Sequence, residues 1–295
     1  MDSSSGCESS WRTPRPAKSF WGPRGSTVEI SPGNLDYGVM GSYSNDAPES
    51  LTTGRWRSLG RTLAPFILRA LGCVGVRFRR IRFLRLQYCR GDGVEVGAGT
   101  SPSCPPLDGT VMVDQAAIPP GSKGALATAE SLPFSDGDFD FLLSAHCLEH
   151  CPNTLAVLEE WLRVLSPGGI LFLVLPHGER TFDRGRALTT LAHHIEDYTN
   201  GVTYGEDTHL AEFEAIALAQ YDPEWMGDAS ARLDDGALDW DWMITNGLVH
   251  YHVWTEREMK AVALHLGCEI LRAVPMAPDR PDSFVIVARK TPTAR

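Results

Sequence analysis

The feature that most constrains this chain is an alternation of short apolar runs with helical segments that begins after Gly91. Val94-Glu95-Val96 reads as a strand running into Gly97-Ala98-Gly99, and Val111-Met112-Val113 as a second strand ending at Asp114. Phe139–Ser144 and Ile170–Leu175 read as a third and a fourth, the last apolar throughout, as a strand covered on both faces must be. Between these two, Thr154–Leu165 carries apolar residues at helical spacing and stops at Pro167-Gly168-Gly169. Strands and helices in this order fold as a parallel α/β sheet. Further on, Thr255 and Glu258 form a capping-box pattern, so a helix is expected from there to about Gly267 as its C′ glycine. Two closing strands are expected near Glu269–Val274 and Ser283–Arg289.

A chain of 295 residues has material for one large domain or two small ones. Residues 1–54 are rich in Ser, Gly and Pro without periodicity and are expected to be a flexible leader. Residues 55–90 interleave apolar residues with arginine, as in Arg79-Arg80-Ile81-Arg82-Phe83-Leu84-Arg85-Leu86. This reads as a basic amphipathic helical extension packed on the next domain. A weak contact with anionic membrane surface or phosphorylated substrate is the sharper alternative. The charge divides sharply, +8 over residues 1–90 and −18 over residues 91–295, and so acidic a body excludes a broad nucleic-acid surface.

The seven cysteines include no C-x-x-C pair, which in a chain this long points to reduced thiols and a cytoplasmic protein. The first thirty residues have no apolar stretch of the roughly 7–15 residues a secretory signal needs. The longest apolar run, Thr62–Val76, is broken by Arg69 and too short to be a transmembrane segment. Residues 177–250 break the strand–helix rhythm. They are acidic and rich in Trp and His, and are expected to form a helical cap insertion. Nothing in the composition opposes a homo-oligomer.

Glycines at 97 and 99 let the backbone after the first strand approach a ligand closely, and Asp114 is placed to accept hydrogen bonds from ribose hydroxyls. A dinucleotide would need a third glycine where Pro102 stands, so a nucleoside cofactor without a pyrophosphate fits better. In the cap, His193 and Asp197 are one helical turn apart. His250 and His252 would point the same way if Tyr251 separates them in an extended segment. Three readings stay open for these histidines. They form a hydrogen-bonded network pinning the cap to the sheet. Or His250, His252, His193 or His177 takes a proton from the substrate. Or a divalent metal is held by a set drawn from His193, Asp197, His209, His250 and His252, with Glu212 nearby. His146, His150 and His177 fall at the carboxyl ends of sheet elements, where doubly wound folds bind ligands. Trp240, Trp242 and Trp254 pack a core or line a pocket.

Taken together, the segment from Val94 to Thr100, Asp114, Ala129-Glu130-Ser131-Leu132-Pro133-Phe134, Leu148-Glu149-His150 and Arg163-Val164-Leu165-Ser166-Pro167-Gly168-Gly169 resemble the class I S-adenosylmethionine-dependent methyltransferases. The resemblance covers roughly residues 91–290 and implies a Rossmann-like seven-stranded sheet. It places Glu95, Gly97, Ala98 and Gly99 around the methionine part of the cofactor, Asp114 at the ribose, Ala129 and Glu130 beside the adenine, and His146 nearby. Thr128 stands where the family often has Asp, and the segment from Gly97 to Asp114 is short and Pro-rich, implying a stunted first helix. Arg186, Thr189, His193 and Asp197, then His209 and Glu212, then His250-Tyr251-His252-Val253-Trp254, are similar to a subgroup found near glycan and natural-product genes. The expected reaction is methyl transfer to an O or N nucleophile of a small molecule. A metal-assisted, non-methylating enzyme and a non-catalytic cofactor-binding partner are the rival expectations.

Overall fold

The structure is a computed structural model that describes residues 80–99, 109–205, 207–217 and 239–292. The expected leader, most of the basic extension, Pro102 and Trp225 lie outside the described residues.

The first described helix, α1 (Ile81–Tyr88), is the end of that basic extension. Ile81 and Leu84 are buried against Phe141, Phe172 and Val285 on one face of the sheet, while Arg82 is exposed. Arg85 departs from the expected pattern: it is buried and faces Glu95 electrostatically.

Seven strands follow: β1 (Gly93–Val96), β2 (Val111–Asp114), β3 (Gly124–Leu126), β4 (Phe139–Ala145), β5 (Leu165–Pro176), β6 (Glu269–Val274) and β7 (Ser283–Arg289). They form one sheet in the order β3-β2-β1-β4-β5-β7-β6. The first five pair in parallel, and β7 lies antiparallel between β5 and β6. The seven-stranded Rossmann-like sheet expected from the sequence is therefore present. Its order reverses between β1 and β4, and the crevice at their carboxyl ends is where such sheets bind ligands.

Helix α2 (Thr154–Val164) starts where the Asn153 side chain accepts from Ala156 N, and buries Leu155, Leu158, Trp161 and Leu162 against the sheet. Later in the chain α6 (Glu256–His265) carries the expected capping box, with Gly267 following at φ +80°. Two stretches differ from expectation. Strand β3 was not foreseen, and β5 starts at Leu165, although its pairing with β4 jumps from Leu165 to Ile170 so that Ser166-Pro167-Gly168-Gly169 bulges out of the ladder, with Gly168 at φ +82°.

The described part of the insertion contains α3 (Leu191–Asn200), α4 (Asp207–Glu212) running into a π turn, and α5 (Trp240–Thr245). Leu210, Phe213, Met243, Val249 and Tyr251 form a small core of their own, with Trp240 and Trp242 packed on it. Trp254 belongs instead to the main core under the sheet. No described helix is long and apolar enough to cross a membrane.

Candidate active site

The expected cofactor-binding residues lie at or just past the carboxyl ends of β1, β2, β3 and β4. Gly97 N and Ala98 N both donate to Val113 O, which folds the chain back over β2. Gly97 has φ +76°, and a Cβ there would lie 2.4 Å from Cys147 Cβ, so only glycine lets the loop after β4 approach. Asp114 clamps the two loops: Oδ2 accepts from Gly99 N at 2.9 Å, and Oδ1 from Ala116 N and Ala117 N. Three of the roughly four acceptor positions of a carboxylate are thus taken, leaving one for a ribose hydroxyl instead of the two expected.

Glu95 is buried, and its Oε2 has no hydrogen-bond partner among the described residues. Burial raises its pKa to about 7, against the pull of Arg85. An orphaned acidic oxygen beside a glycine loop suits the ammonium of a methionine moiety. On the other side, Ala129 O accepts from Trp161 Nε1, and Tyr204 of the cap donates to Glu130. The cap therefore touches the strand ends where the nucleoside is expected.

His146 follows β4 with φ +54°, the positive-φ non-glycine residue of the described chain and a strained one. Its Nε2 lies 2.8 Å from Ser283 Oγ and its Nδ1 3.4 Å from Glu149 Oε1. His177 caps a short 3-10 turn, its Nδ1 accepting from Glu179 N, and joins neither histidine group of the cap.

The cap histidines split into two groups. His250 Nδ1 lies 2.6 Å from Asp183 Oδ2, and His150 and Glu149 complete that group. Arg186 holds it from behind, donating to Asp183 Oδ1 and His250 O, each at 2.8 Å. The second group is His193, Asp197, His209 and His252. His250 and His252 therefore do not act as one set: a separate carboxylate claims each ring. The expected metal set is corrected accordingly, His250 leaving it, and Glu212 lying instead 3.7 Å from Arg186 Nε. Asp183 and His194 were not read from the sequence, and Glu149 only as part of the Leu148-Glu149-His150 motif, without a role. His194 is buried against His252 and Trp254, with neither ring nitrogen hydrogen-bonded among the described residues.

Electrostatics sets a pH window for stability. Burial lowers His150 to about 3 and His146 to about 2, from 6.5. Below pH ~6.5 the unfolded chain binds more protons at these sites, so stability falls as pH drops through that range. Glu95 and Glu149 act oppositely: burial raises each from 4.5 to about 7, so their contribution is lost as pH rises through about 7. The melting temperature is expected to peak between about pH 6.5 and 7. Glu149→Gln, which removes a buried charge worth of order 3 kcal/mol at high pH, should flatten the alkaline side. Calorimetry from about pH 5 to 9 checks this, and an unchanged alkaline limb in the variant would refute it.

A cavity of about 490 Å³ lined by Asp92, Val111, Lys123 and Phe139 opens at the amino ends of the strands, away from every candidate residue. Parallel sheets bind ligands at the other end, so the strand ends carrying Glu95 and Asp114 remain the candidate site.

The strand order and the crevice geometry define a class I methyltransferase sheet. Residues 94–173, from β1 into β5, match the family model described as a methyltransferase domain. That matched segment is similar to methyltransferase domains and makes up about a quarter of the chain. An uncharacterised protein of Methanocaldococcus jannaschii is 34% identical over 99 residues, 32% of this chain and 48% of that protein. A ubiquinone/menaquinone biosynthesis C-methyltransferase of Chromobacterium violaceum is 43% identical over 63 residues, 21% of this chain and 25% of its own. The chain thus spans less than half the length of these curated relatives. Among solved structures, an S-adenosylmethionine-dependent methyltransferase of Thermotoga maritima aligns with a TM-score of 0.42 at 16% identity, covering 77% of this chain and 97% of its own.

Proposed function

We propose that this protein is a cytosolic methyltransferase that moves the methyl group of S-adenosylmethionine to an O or N nucleophile of a small molecule, such as a natural product or sugar derivative. The observation that carries the reading is the buried Glu95, with its unpaired oxygen, set between the glycine loop and the Asp114 clamp. S-adenosylmethionine, when bound, supplies a methyl group already activated on a sulfonium. The chain's own residues then have three tasks. Glu95, ionised, pairs with the amino-acid ammonium, and Asp114 holds one ribose hydroxyl. Tyr204, through Glu130, closes the cap over the adenine side and excludes water. His250 takes the acceptor's proton: its Nδ1–H donates to Asp183, which leaves Nε2 with a free lone pair for that proton. The surroundings of His250, with His150 at 4.9 Å and Phe182 at 4.5 Å between ring centroids, form an apolar and aromatic wall for an acceptor.

Calorimetric titration with S-adenosylmethionine and S-adenosylhomocysteine tests the cofactor half, and S-adenosylhomocysteine release over a panel of phenols, sugars and amines tests the acceptor half. Glu95→Gln is expected to weaken S-adenosylmethionine by roughly 10–100-fold, the worth of one charged hydrogen bond. The sign of the pH effect is fixed. Free Glu95 titrates near 7 and must be ionised to pair, so wild-type affinity should rise with pH up to about 7, and the variant should lose that slope. Equal affinity and equal slope in the variant would remove Glu95 from the site.

A further inference from the structure

We propose that His193, Asp197, His209 and His252 form a binding site for one divalent transition-metal ion of the zinc class, tying the cap to the sheet. The four residues come from three places in the chain: His193 and Asp197 from α3, His209 from α4, and His252 from the extended segment before α6. One ligand atom from each lies within 4.8 Å of all the others. The Nε2 atoms of His193 and His209 are 3.0 Å apart. Asp197 Oδ2 lies 3.0 Å from His252 Nε2, 3.4 Å from His193 Nε2 and 3.7 Å from His209 Nε2. A tetrahedral ion with bonds of about 2.0–2.1 Å spaces its ligand atoms by roughly 3.3–3.4 Å. These four separations straddle that value, and the distances from His252 to the other two imidazoles are within 4.8 Å, so small shifts bring the four ligand atoms to a common centre.

The donor chemistry fits as well. Three imidazoles and one carboxylate suit zinc and its neighbours and do not suit calcium or magnesium, which want oxygen. A divalent ion balances the buried Asp197 and leaves a single net positive charge. Two facing Nε2 atoms at 3.0 Å need a shared proton if no ion is present, whereas an ion takes both lone pairs. A supporting contact lies behind the ring: His252 Nδ1 is 3.1 Å from Thr154 Oγ1 at the start of α2. Without an ion Nε2–H donates to Asp197 and Nδ1 accepts from the Thr154 hydroxyl, whereas with an ion on Nε2 the tautomer switches and Nδ1–H donates to Thr154. Asp197, His209 and His252 are buried, while the His193 side chain is 38% exposed and gives a way in. The other gathering, Glu149, His150 and His250, is a poorer cage. His150 Nε2 is 3.9 Å from Glu149 Oε1, and His250 already gives Nδ1 to Asp183.

The test uses the full chain without an affinity tag of histidines, and needs no acceptor, so its failure is distinguishable from failure of the methyltransferase reading. Elemental analysis should find one equivalent of metal. Stripped protein should take up one zinc by calorimetry and melt at a lower temperature until it is restored, and cobalt in its place should give the intense visible absorption of a tetrahedral site. His209→Gln and Asp197→Asn should abolish uptake. Thr154→Val, which keeps shape and every ligand, should weaken zinc by roughly 10–100-fold and so reads the site even if the ligand variants do not fold. His250→Gln should bind zinc as wild type does. Failure of the folded, stripped wild type to bind zinc or cobalt would overturn the proposal and leave a hydrogen-bonded network. So would wild-type affinity in Thr154→Val together with full uptake in His209→Gln.

Discussion

Replacing His250 with alanine is expected to lower turnover by roughly 10²–10⁴-fold, the usual contribution of a positioned proton acceptor, with S-adenosylmethionine affinity unchanged. The reason lies in how the ring is held. Asp183 accepts from Nδ1 at 2.6 Å, which fixes the tautomer and supports the positive charge that forms when Nε2 gains a proton. Arg186 in turn pins Asp183 from its other oxygen. Asp183→Asn keeps the shape but can offer its amide N–H to the ring and hold the wrong tautomer. It is a positioning change, and it should lower kcat while leaving KM near its wild-type value. Its pH profile should lose the limb that reports the proton acceptor. Initial rates of S-adenosylhomocysteine release, measured on whichever acceptor the panel identifies, decide the matter. Turnover at wild-type rates in both variants would move the proton acceptor elsewhere.

Why the sequence exposes His250 but hides Asp183 has a physical cause. Strands β1, β2, β4 and β5 were legible because strands covered on both faces are mostly apolar runs, interrupted by Glu95 in β1 and by Asp140 and Ser144 in β4, and the closing pair because a capped helix marks the point where the chain returns. Strand β3 was not, since Gly124-Ala125-Leu126 is three residues long, lies at the sheet edge and leaves Leu126 62% exposed. Pro167-Gly168 reads as a turn and does bulge out, with Gly168 at φ +82°, but β5 begins earlier than Ile170 because Leu165 already pairs with Phe139 of β4. In the site, histidines stand out by rarity and spacing, and His193 with Asp197 is one turn of one helix. Asp183 carries no such signal. It is one acid among many, and only the folding of the cap makes it a partner of His250, 67 positions away. Glu149 is marked by its motif, but nothing in that motif links it to His250. The splitting of His250 from His252 is likewise tertiary: period-two alternation predicts a shared side, but not which carboxylate waits there.

Arg186→Met is expected to destabilise the cap by about 3–5 kcal/mol, the cost of stripping one partner from a buried ion pair. The Arg186 side chain is fully buried, and its guanidinium makes four separate contacts: Asp183 Oδ1 and His250 O at 2.8 Å, Tyr251 O at 3.3 Å and Glu212 Oε1 at 3.7 Å. It also sits 5.7 Å from the centre of the Phe213 ring in the cap's own core. Methionine keeps the volume against Phe213 but supplies no donor, so a buried carboxylate and two backbone carbonyls lose their partner at once. Arg186→Lys should recover only a small part, because one ammonium cannot span contacts arranged for a planar fork. The loss should be local before it is global. The cap core of Phe213, Met243, Val249 and Tyr251 is separate from the clusters under the sheet, and a loosened Arg186 releases the segment that carries both His250 and His252. Hydrogen exchange should therefore show deprotection of residues 183–213 and 248–254 in Arg186→Met, while β4 and β5 stay protected. Uniform deprotection of cap and sheet together would instead mean that the cap and the sheet unfold as one unit, and that Arg186 stabilises the whole domain and not the roof of its site.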